Sequence, residues 1–219
     1  MRLWCPNEHG KKGEDVVKDW ALEMFNEPLP KKMTLKPRRL KYFQEKSGIS
    51  FVIDPGIAFG TGTHPTTSLC MDMIERYLNR GDRVLDVGTG SGILMIAAAK
   101  MGARMVHGID KSSAAVDIAR KNLILNQIEE KRYRVRTGTL LNGIEEQFDL
   151  VVANILMEII VRLLDDVQKN LRKAGTFICS GMLEGNTHRV LNKMEAQGFE
   201  ILETRTQERW VSIAGRRKR

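Results

Sequence analysis

The sequence has little of what stabilises secreted or membrane-bound proteins. It has only three cysteines in 219 residues, and Cys5, Cys70 and Cys179 are too widely spaced to form a disulfide framework or a zinc site. No apolar run approaches the ~20 residues that span a bilayer. Residues 1–15 lack the apolar centre of a signal peptide. These absences predict a cytoplasmic protein with reduced cysteines, no membrane contact and no bound metal.

Aromatic residues are also few, at 6%, but hydrophobic residues reach 42% of the chain. That content excludes a disordered protein and provides an aliphatic core. The length suits one large α/β domain with a short appendage. Residues 1–46 are polar, basic and interrupted by prolines, with one helical pattern near 16–25. They predict an N-terminal helical and linker segment, and residues 47–219 form the main domain.

Strand and helix patterns alternate over residues 80–215, which is typical of a mostly parallel sheet covered by helices on both faces. The last two strands are separated only by Gln207 and Glu208, so they predict an antiparallel hairpin. A helix is also expected to run from about Ile159 through Val167. The predicted strands are 83–87, 105–109, 132–136, 148–153, 176–180, 199–206 and 209–215.

The run VLDVGTGSGIL, Val84–Leu94, predicts a strand that enters a glycine loop and then a helix. Glycine lets a ligand lie on the backbone, and a helix N-terminus offers unpaired N–H groups. Asp110 ends the next strand, 22 positions after Gly88, where an acid would bind a ribose diol. Ile93 replaces the third glycine of a dinucleotide fingerprint, which favours S-adenosylmethionine over NAD. The alternative is a tight turn without a ligand. The candidate cofactor-binding residues here are Asp86, Gly88, Gly90, Gly92 and Asp110.

A second glycine-rich loop, Asp54–Ser68, immediately precedes this unit. Its glycines allow close approach to a ligand, and its threonine hydroxyls can donate and accept hydrogen bonds. An ordinary helix-entry loop, capped by His64 or Thr63, is the alternative. The candidate cofactor-binding residues in this loop are Phe59, Thr61, Thr63 and Thr67.

Asn154 lies in the run VVANILMEI, at the predicted carboxyl end of a buried strand. Ligands of parallel sheets bind at such ends, and the amide oxygen of Asn154 could hold a substrate amine. We therefore place Asn154 among the cofactor-binding residues and as the candidate catalytic residue. A cap on the following helix is the alternative, and position alone favours neither role.

Together these runs resemble a bacterial lysine methyltransferase family, the one that acts on large-subunit ribosomal protein L-eleven. The resemblance rests on DPGIAFGTGTHPTTS, DVGTGSGIL, GIDKSSAAVDIARKN, VVANIL and a closing WVSIAGRRK. It implies a Rossmann-like class I S-adenosylmethionine-dependent methyltransferase domain over 47–219. It also implies that the cofactor contacts Thr67 and Gly88, binds Asp110 through its ribose and lies beside Asn154 with its methyl group.

The family carries an N-terminal ferredoxin-like domain that binds the ribosomal protein, and residues 1–46 are too short to hold it as well as the linker. We therefore expect this domain to be missing or reduced. The resemblance implies methylation of a lysine or N-terminal amine, with a ribosomal protein as the candidate substrate. The alternatives are an RNA methyltransferase, although ANIL lacks the Asn-Pro-Pro-aromatic run, and a non-catalytic module that binds S-adenosylmethionine. The basic tail, 216–219, is expected to be solvated and frayed, or else to contact RNA or the ribosome.

Overall fold

The chain folds around a β-sheet that is covered by α-helices. The computed structural model describes residues 33–37, 49–54, 62 and 64–218. The predicted N-terminal helix near 16–25 and the candidates Phe59, Thr61 and Thr63 lie outside the described residues. Within the described part of the chain, no helix is long and apolar enough to cross a membrane.

Nine strands are described, and seven of them form one sheet. The strands are β1 (Met33–Pro37), β2 (Ile49–Ile53), β3 (Arg83–Val87), β4 (Met105–Asp110), β5 (Tyr133–Thr137), β6 (Phe148–Asn154), β7 (Leu171–Leu183), β8 (Phe199–Gln207) and β9 (Trp210–Arg217). The large sheet has the order β5-β4-β3-β6-β7-β9-β8. The first five strands of that order, from β5 through β4, β3 and β6 to β7, are parallel to one another. Strand β9 is antiparallel to both of its neighbours, β7 and β8. β1 and β2 form a separate parallel pair.

Five α-helices of the described residues cover the two faces of the large sheet. They are α1 (Pro65–Tyr77), α2 (Ile93–Lys100), α3 (Ser113–Leu125), α4 (Met157–Leu163) and α5 (Thr187–Ala196). Successive side chains of a strand point to opposite faces, and β6 shows the result. Leu150 and Val152 join one apolar cluster with residues of α1, α2 and α3, whereas Val151 and Ala153 join another with residues of α4 and α5.

The predicted fold class is confirmed, and the differences from the sequence reading are local. The hairpin turn is Glu208–Arg209, one residue later than predicted. Both residues have positive φ, 48° and 70°, as a two-residue type I′ turn requires. The helix predicted to run through Val167 ends at Leu163. Asp165 and Asp166 follow it, and acidic residues disfavour a helix C-terminus.

Two buried asparagines, Asn122 in α3 and Asn126 directly after it, bind the backbone of β2 and of Asp54, the residue that follows β2. Asn126 Oδ1 accepts from Val52 N at 2.8 Å, and Asn126 Nδ2 donates to Val52 O at 2.6 Å. Asn122 repeats this arrangement with the N–H and carbonyl of Asp54, at 2.9 and 3.4 Å. Asn122 Nδ2 also donates to Ser91 O at 2.8 Å. The two side-chain amides form the hydrogen bonds that a neighbouring strand would otherwise form, and they fix the position at which the chain leaves β2.

The expectation of a frayed tail is wrong for Arg216 and Arg217. Both belong to β9, and the Arg217 guanidinium donates to the carbonyls of Gln168, at 2.7 Å, and Leu171. These bonds satisfy the carbonyl of Gln168, which lies between α4 and β7, and the carbonyl of Leu171, the first residue of β7. Contact of the tail with RNA stays a prediction.

Candidate active site

A cavity of about 760 Å³ lies at the carboxyl ends of β3, β4 and β6. The chain leaves β3 toward β4 on one side and reaches β6 on the other, so this is the switch point where open α/β sheets bind ligands. Apolar side chains form much of its wall, and a few polar groups interrupt them. The apolar contributors include Val87, Ile109, Leu140 and Ile155, and the polar ones include Asp110, Ser112 and Asn154.

The glycine loop forms one wall of the cavity. Gly88 has φ +75°, and a Cβ there would overlap the Ile155 side chain. Gly88 N and Thr89 N both donate to Ile109 O, at 2.8 and 3.1 Å. Gly88 and Thr89 precede the helix N-terminus, which begins at Ile93, so the expectation of unpaired N–H groups at that terminus stays a prediction. Gly88 is required for the loop to pack against Ile155, and these two amides do not form a phosphate cradle.

Asp110 ends β4 and lines the same cavity. Its Oδ2 accepts from Gly90 N at 3.0 Å, and its Oδ1 accepts from Ser112 N at 3.0 Å. A carboxylate can accept about four hydrogen bonds, so both oxygens keep a lone pair for a further donor. Gly90 lies on the cavity wall beside it. This geometry fits a carboxylate that binds two adjacent hydroxyls.

Asp86 and Gly92 lie behind the cavity wall. Asp86 is only 1% exposed; its Oδ2 accepts from Thr89 Oγ1 at 2.7 Å, while Oδ1 has no partner among the described residues. Burial raises the pKa of Asp86 to about 7. Gly92 precedes α2, and a Cβ there would press on Ala119 of α3. Both residues support the glycine loop on the side that faces away from the cavity.

The buried carboxyl of Asp86 predicts a pH dependence of stability. The pKa of Asp86 is about 3.8 in the unfolded chain and about 7 in the folded protein. Its contribution to the free energy of unfolding is therefore complete below pH 4, and it is lost as the pH rises through 7. Asp86→Asn removes this dependence. The unfolding free energy of the variant, relative to wild type, should therefore rise by about 2 kcal/mol between pH 5 and pH 8.

Urea unfolding of both proteins at the two pH values measures this difference. Asp149→Asn is a control for a carboxyl that is less buried, with Arg172 2.8 Å away. A constant difference between wild type and Asp86→Asn across the pH range would contradict the assignment.

Asn154 ends β6, lines the cavity and donates through Nδ2 to Thr67 Oγ1 at 3.4 Å. It is not the cap of the following helix: Leu156 occupies that position, and no side chain caps α4. Thr67 is fully buried and reaches the cavity only through Asn154. With Nδ2 directed to Thr67, Oδ1 remains an acceptor.

Three further side chains at the cavity were not singled out as binding residues from the sequence. His64 caps α1 by accepting from Thr66 N, and its ring lies edge-on to Trp210 with centroids 4.8 Å apart. Burial lowers the pKa of His64, which favours the neutral imidazole. His64, Thr66 and Trp210 all line the cavity. Trp210 is far away in sequence, and only its place in the closing hairpin brings it here.

Comparisons with known proteins agree with this architecture. The family model for "Ribosomal protein L11 methyltransferase (PrmA)" matches residues 12–218. The chain belongs to the ribosomal protein L11 methyltransferase family. A relative of that name from Exiguobacterium sp. (strain ATCC BAA-1283 / AT1b) is 44% identical over 204 residues, which cover 93% of this chain and 65% of the relative. The relative from Bacillus subtilis (strain 168) is 47% identical over 165 residues, or 75% of this chain and 53% of the relative.

This chain therefore spans just under two thirds of the Exiguobacterium family member. A crystal structure of "ribosomal protein L11 methylase" from Lactobacillus delbrueckii subsp. bulgaricus superposes with a TM-score of 0.81 and 35% identity. The match covers 88% of this chain and 98% of that one. The resemblance inferred from the glycine, threonine and Asn154 motifs is thus confirmed at the level of the family.

Proposed function

We propose that this chain is an S-adenosylmethionine-dependent methyltransferase that acts on a lysine or N-terminal amine of a protein. The observation that carries the proposal is Asn154, whose amide nitrogen donates to Thr67 on the wall of the switch-point cavity. An acceptor oxygen beside a cofactor-sized cavity suits an amine substrate.

The cavity fits the cofactor. Gly88 lines the cavity with its backbone, at a place where a Cβ would collide with Ile155, and Asp110 offers two oxygens suited to ribose hydroxyls. When bound, S-adenosylmethionine supplies a methyl group made electrophilic by its sulfonium. We retain Phe59, Thr61 and Thr63 as proposed cofactor-binding residues, and we propose that Asp86 and Gly92 support the wall of the cavity from behind.

The residues around Asn154 would prepare the amine. A lysine, with a pKa near 10.4, is neutral in only about one molecule in a few thousand at pH 7. Burial against Ile155 and Trp210 would favour the neutral form. Asn154 Oδ1 would accept one N–H and direct the nitrogen lone pair into the cavity. The reaction is then governed by position and loss of water, and no general base is required.

The relatives named for ribosomal protein L11 support that protein as the substrate. We retain the proposed division into a linker at 1–46 and a methyltransferase domain at 47–219. The cavity is also compatible with a module that binds the cofactor without catalysis.

Transfer of a labelled methyl group tests the function. The full chain is incubated with methyl-labelled S-adenosylmethionine and, in separate reactions, with isolated ribosomal protein L11, intact ribosomes and ribosomal RNA. We expect label on a lysine or N-terminal amine of the protein, identified by mass spectrometry. Label on a nucleotide would contradict the protein substrate, and cofactor binding without any labelled product would contradict catalysis.

Asp110→Ala should weaken cofactor binding by about 10- to 150-fold, because the charge-assisted bonds to the ribose are worth roughly 1.5–3 kcal/mol. Calorimetric titration with S-adenosylhomocysteine measures the affinity. Asp117→Ala removes an exposed carboxylate from α3, where it pairs with Arg120, and should leave the affinity unchanged. Equal affinities of the two variants would remove Asp110 from the site.

A further inference from the structure

A second and larger concavity lies at the amino ends of the parallel strands, opposite the proposed active site at their carboxyl ends. Its volume is about 1110 Å³, and it is formed by the amino ends of β3 and β4 and by the segments before β3, β4 and β5. We call it the basic groove because five arginines and two lysines line it. The arginines are Arg80, Arg83, Arg104, Arg132 and Arg134. No carboxylate is among its described lining residues.

The cations of the groove differ in how they are held. Arg132 donates through Nη2 to the carbonyls of Ala99 and Ala103, both at 2.8 Å, so its guanidinium is fixed at the wall. Lys131 pairs with Glu129 at 2.7 Å, and Arg134 has only a long contact of 3.8 Å with Glu146.

Arg80 and Arg104 are exposed at the rim, and neither has an ion pair with any described residue. Arg80 precedes β3, and Arg104 precedes β4. The rim thus presents uncompensated positive charge from two successive connections, which would attract a polyanion.

The inner wall carries two buried polar atoms without partners among the described residues, Arg83 Nε and His107 Nε2. The Arg83 guanidinium lies 5.5 Å from the centre of the Phe148 ring, which orients it. His107 is only 5% exposed. Burial lowers its pKa to about 4, so it adds no positive charge at neutral pH. The charge of the groove therefore comes from arginine and lysine alone.

We propose that the basic groove binds the phosphate backbone of RNA. Guanidinium groups bind phosphate oxygens in a bidentate manner and predominate here over ammonium groups. Apart from the His107 ring, no aromatic side chain among the described lining residues could stack on a base. Contacts are therefore to phosphates, independent of base sequence and strongly dependent on salt. The choice of RNA over DNA rests on the proposed function, since a ribosomal protein lies on ribosomal RNA.

The groove and the proposed active site lie at opposite ends of the parallel strands. RNA in the groove would therefore leave the switch-point cavity open to a protein segment. The groove would hold the enzyme on a ribonucleoprotein without taking part in methyl transfer.

Charge reversal at the rim tests this proposal. Arg80→Glu/Arg104→Glu is compared with Lys121→Glu/Arg189→Glu, a matched double variant on exposed residues of α3 and α5 outside the groove. Binding of the full chain to a fluorescent 24-nucleotide RNA hairpin is measured by anisotropy over a range of salt concentrations. We expect the groove variant to bind at least ~10-fold more weakly and to reduce the slope of log K against log salt by about two. The control variant should retain most of the affinity.

Equal losses in the two double variants would overturn the proposal, since general charge would then explain binding. Competition by inorganic tripolyphosphate at micromolar concentration would also overturn it, in favour of a small-anion site. A hairpin of scrambled sequence should bind equally well.

Methyl transfer to isolated ribosomal protein L11 is measured on the same preparations, with thermal midpoints as a check on folding. A groove variant with normal transfer and weakened RNA binding supports the groove. RNA binding through the groove without any methyl transfer would refute the proposed function and would leave the groove proposal standing.

Discussion

Asn154→Ala is expected to lower the methyl-transfer rate by at least ~100-fold while cofactor affinity changes little. The amide oxygen would be needed chiefly when the amine attacks, and interactions made only at that stage affect kcat more than binding. The rate is measured with the best substrate from the labelling experiment, and affinity is measured by calorimetry on the same preparation.

A second asparagine provides the control for this experiment. Asn170 is buried and is not among the residues that line the cavity, and its Nδ2 donates to the carbonyls of Ile144 and Glu146 at 2.8 and 3.0 Å. Asn170→Ala should lose stability and keep its turnover, which is the reverse of the pattern expected for Asn154→Ala. Thr67→Val, which removes the hydroxyl bound to Asn154, should fall between wild type and Asn154→Ala in rate. A destabilised Asn154→Ala enzyme with the wild-type rate would contradict the catalytic role.

Gly181→Ala should be the most destabilising of the substitutions considered. Gly181 in β7 has φ +102°, and a Cβ there would overlap the backbone carbonyl of Ile155. A left-handed residue other than glycine already costs about 1–2 kcal/mol, and a backbone overlap cannot be relieved by a side-chain rotation. We expect a loss of more than about 3 kcal/mol and a thermal midpoint lower by roughly 10 °C. Differential scanning calorimetry measures both.

Gly185→Ala is the matched control, because a Cβ there meets no atom within 4 Å. It should change the midpoint by no more than about 2 °C. Since Ile155 follows Asn154 and lines the cavity, any folded Gly181→Ala protein should also bind cofactor more weakly. Similar midpoints for the two alanine variants would contradict the close approach of β7 to Ile155.

The sequence was most informative where a pattern has a local physical cause. The buried parallel strands β3, β4 and β6 are apolar runs bounded by turns. Ser112, a serine directly before α3, caps that helix by accepting from Ala115 N. The hairpin turn was misplaced by one residue because Glu208 and Arg209 adopt positive φ without glycine. Composition gives no signal for such a turn.

The parts of the site that were missed depend on distant contacts. Trp210 meets His64 only because β9 lies beside β7, and Gly181 is constrained by the carbonyl of Ile155, the residue that follows β6. Asn122 did carry a signal, because asparagine is unfavourable inside a helix, whereas Asn126 follows α3, where asparagine is an ordinary residue. Their side chains bind the backbone of β2 and of Asp54, and these partners are about 70 residues away.

The two hydrogen bonds that hold Asp110 have an entropic consequence for ligand selection. A carboxylate bound by Gly90 N and Ser112 N is already oriented before any ligand arrives. Immobilising a free side chain on binding costs about 0.5–1.5 kcal/mol, and this cost is largely met when the protein folds. The same rigidity prevents the carboxylate from turning to follow a differently placed hydroxyl. A pair of neighbouring hydroxyls is thus favoured over a single one, so deoxyribose analogues should be rejected by geometry as well as by the lost bond.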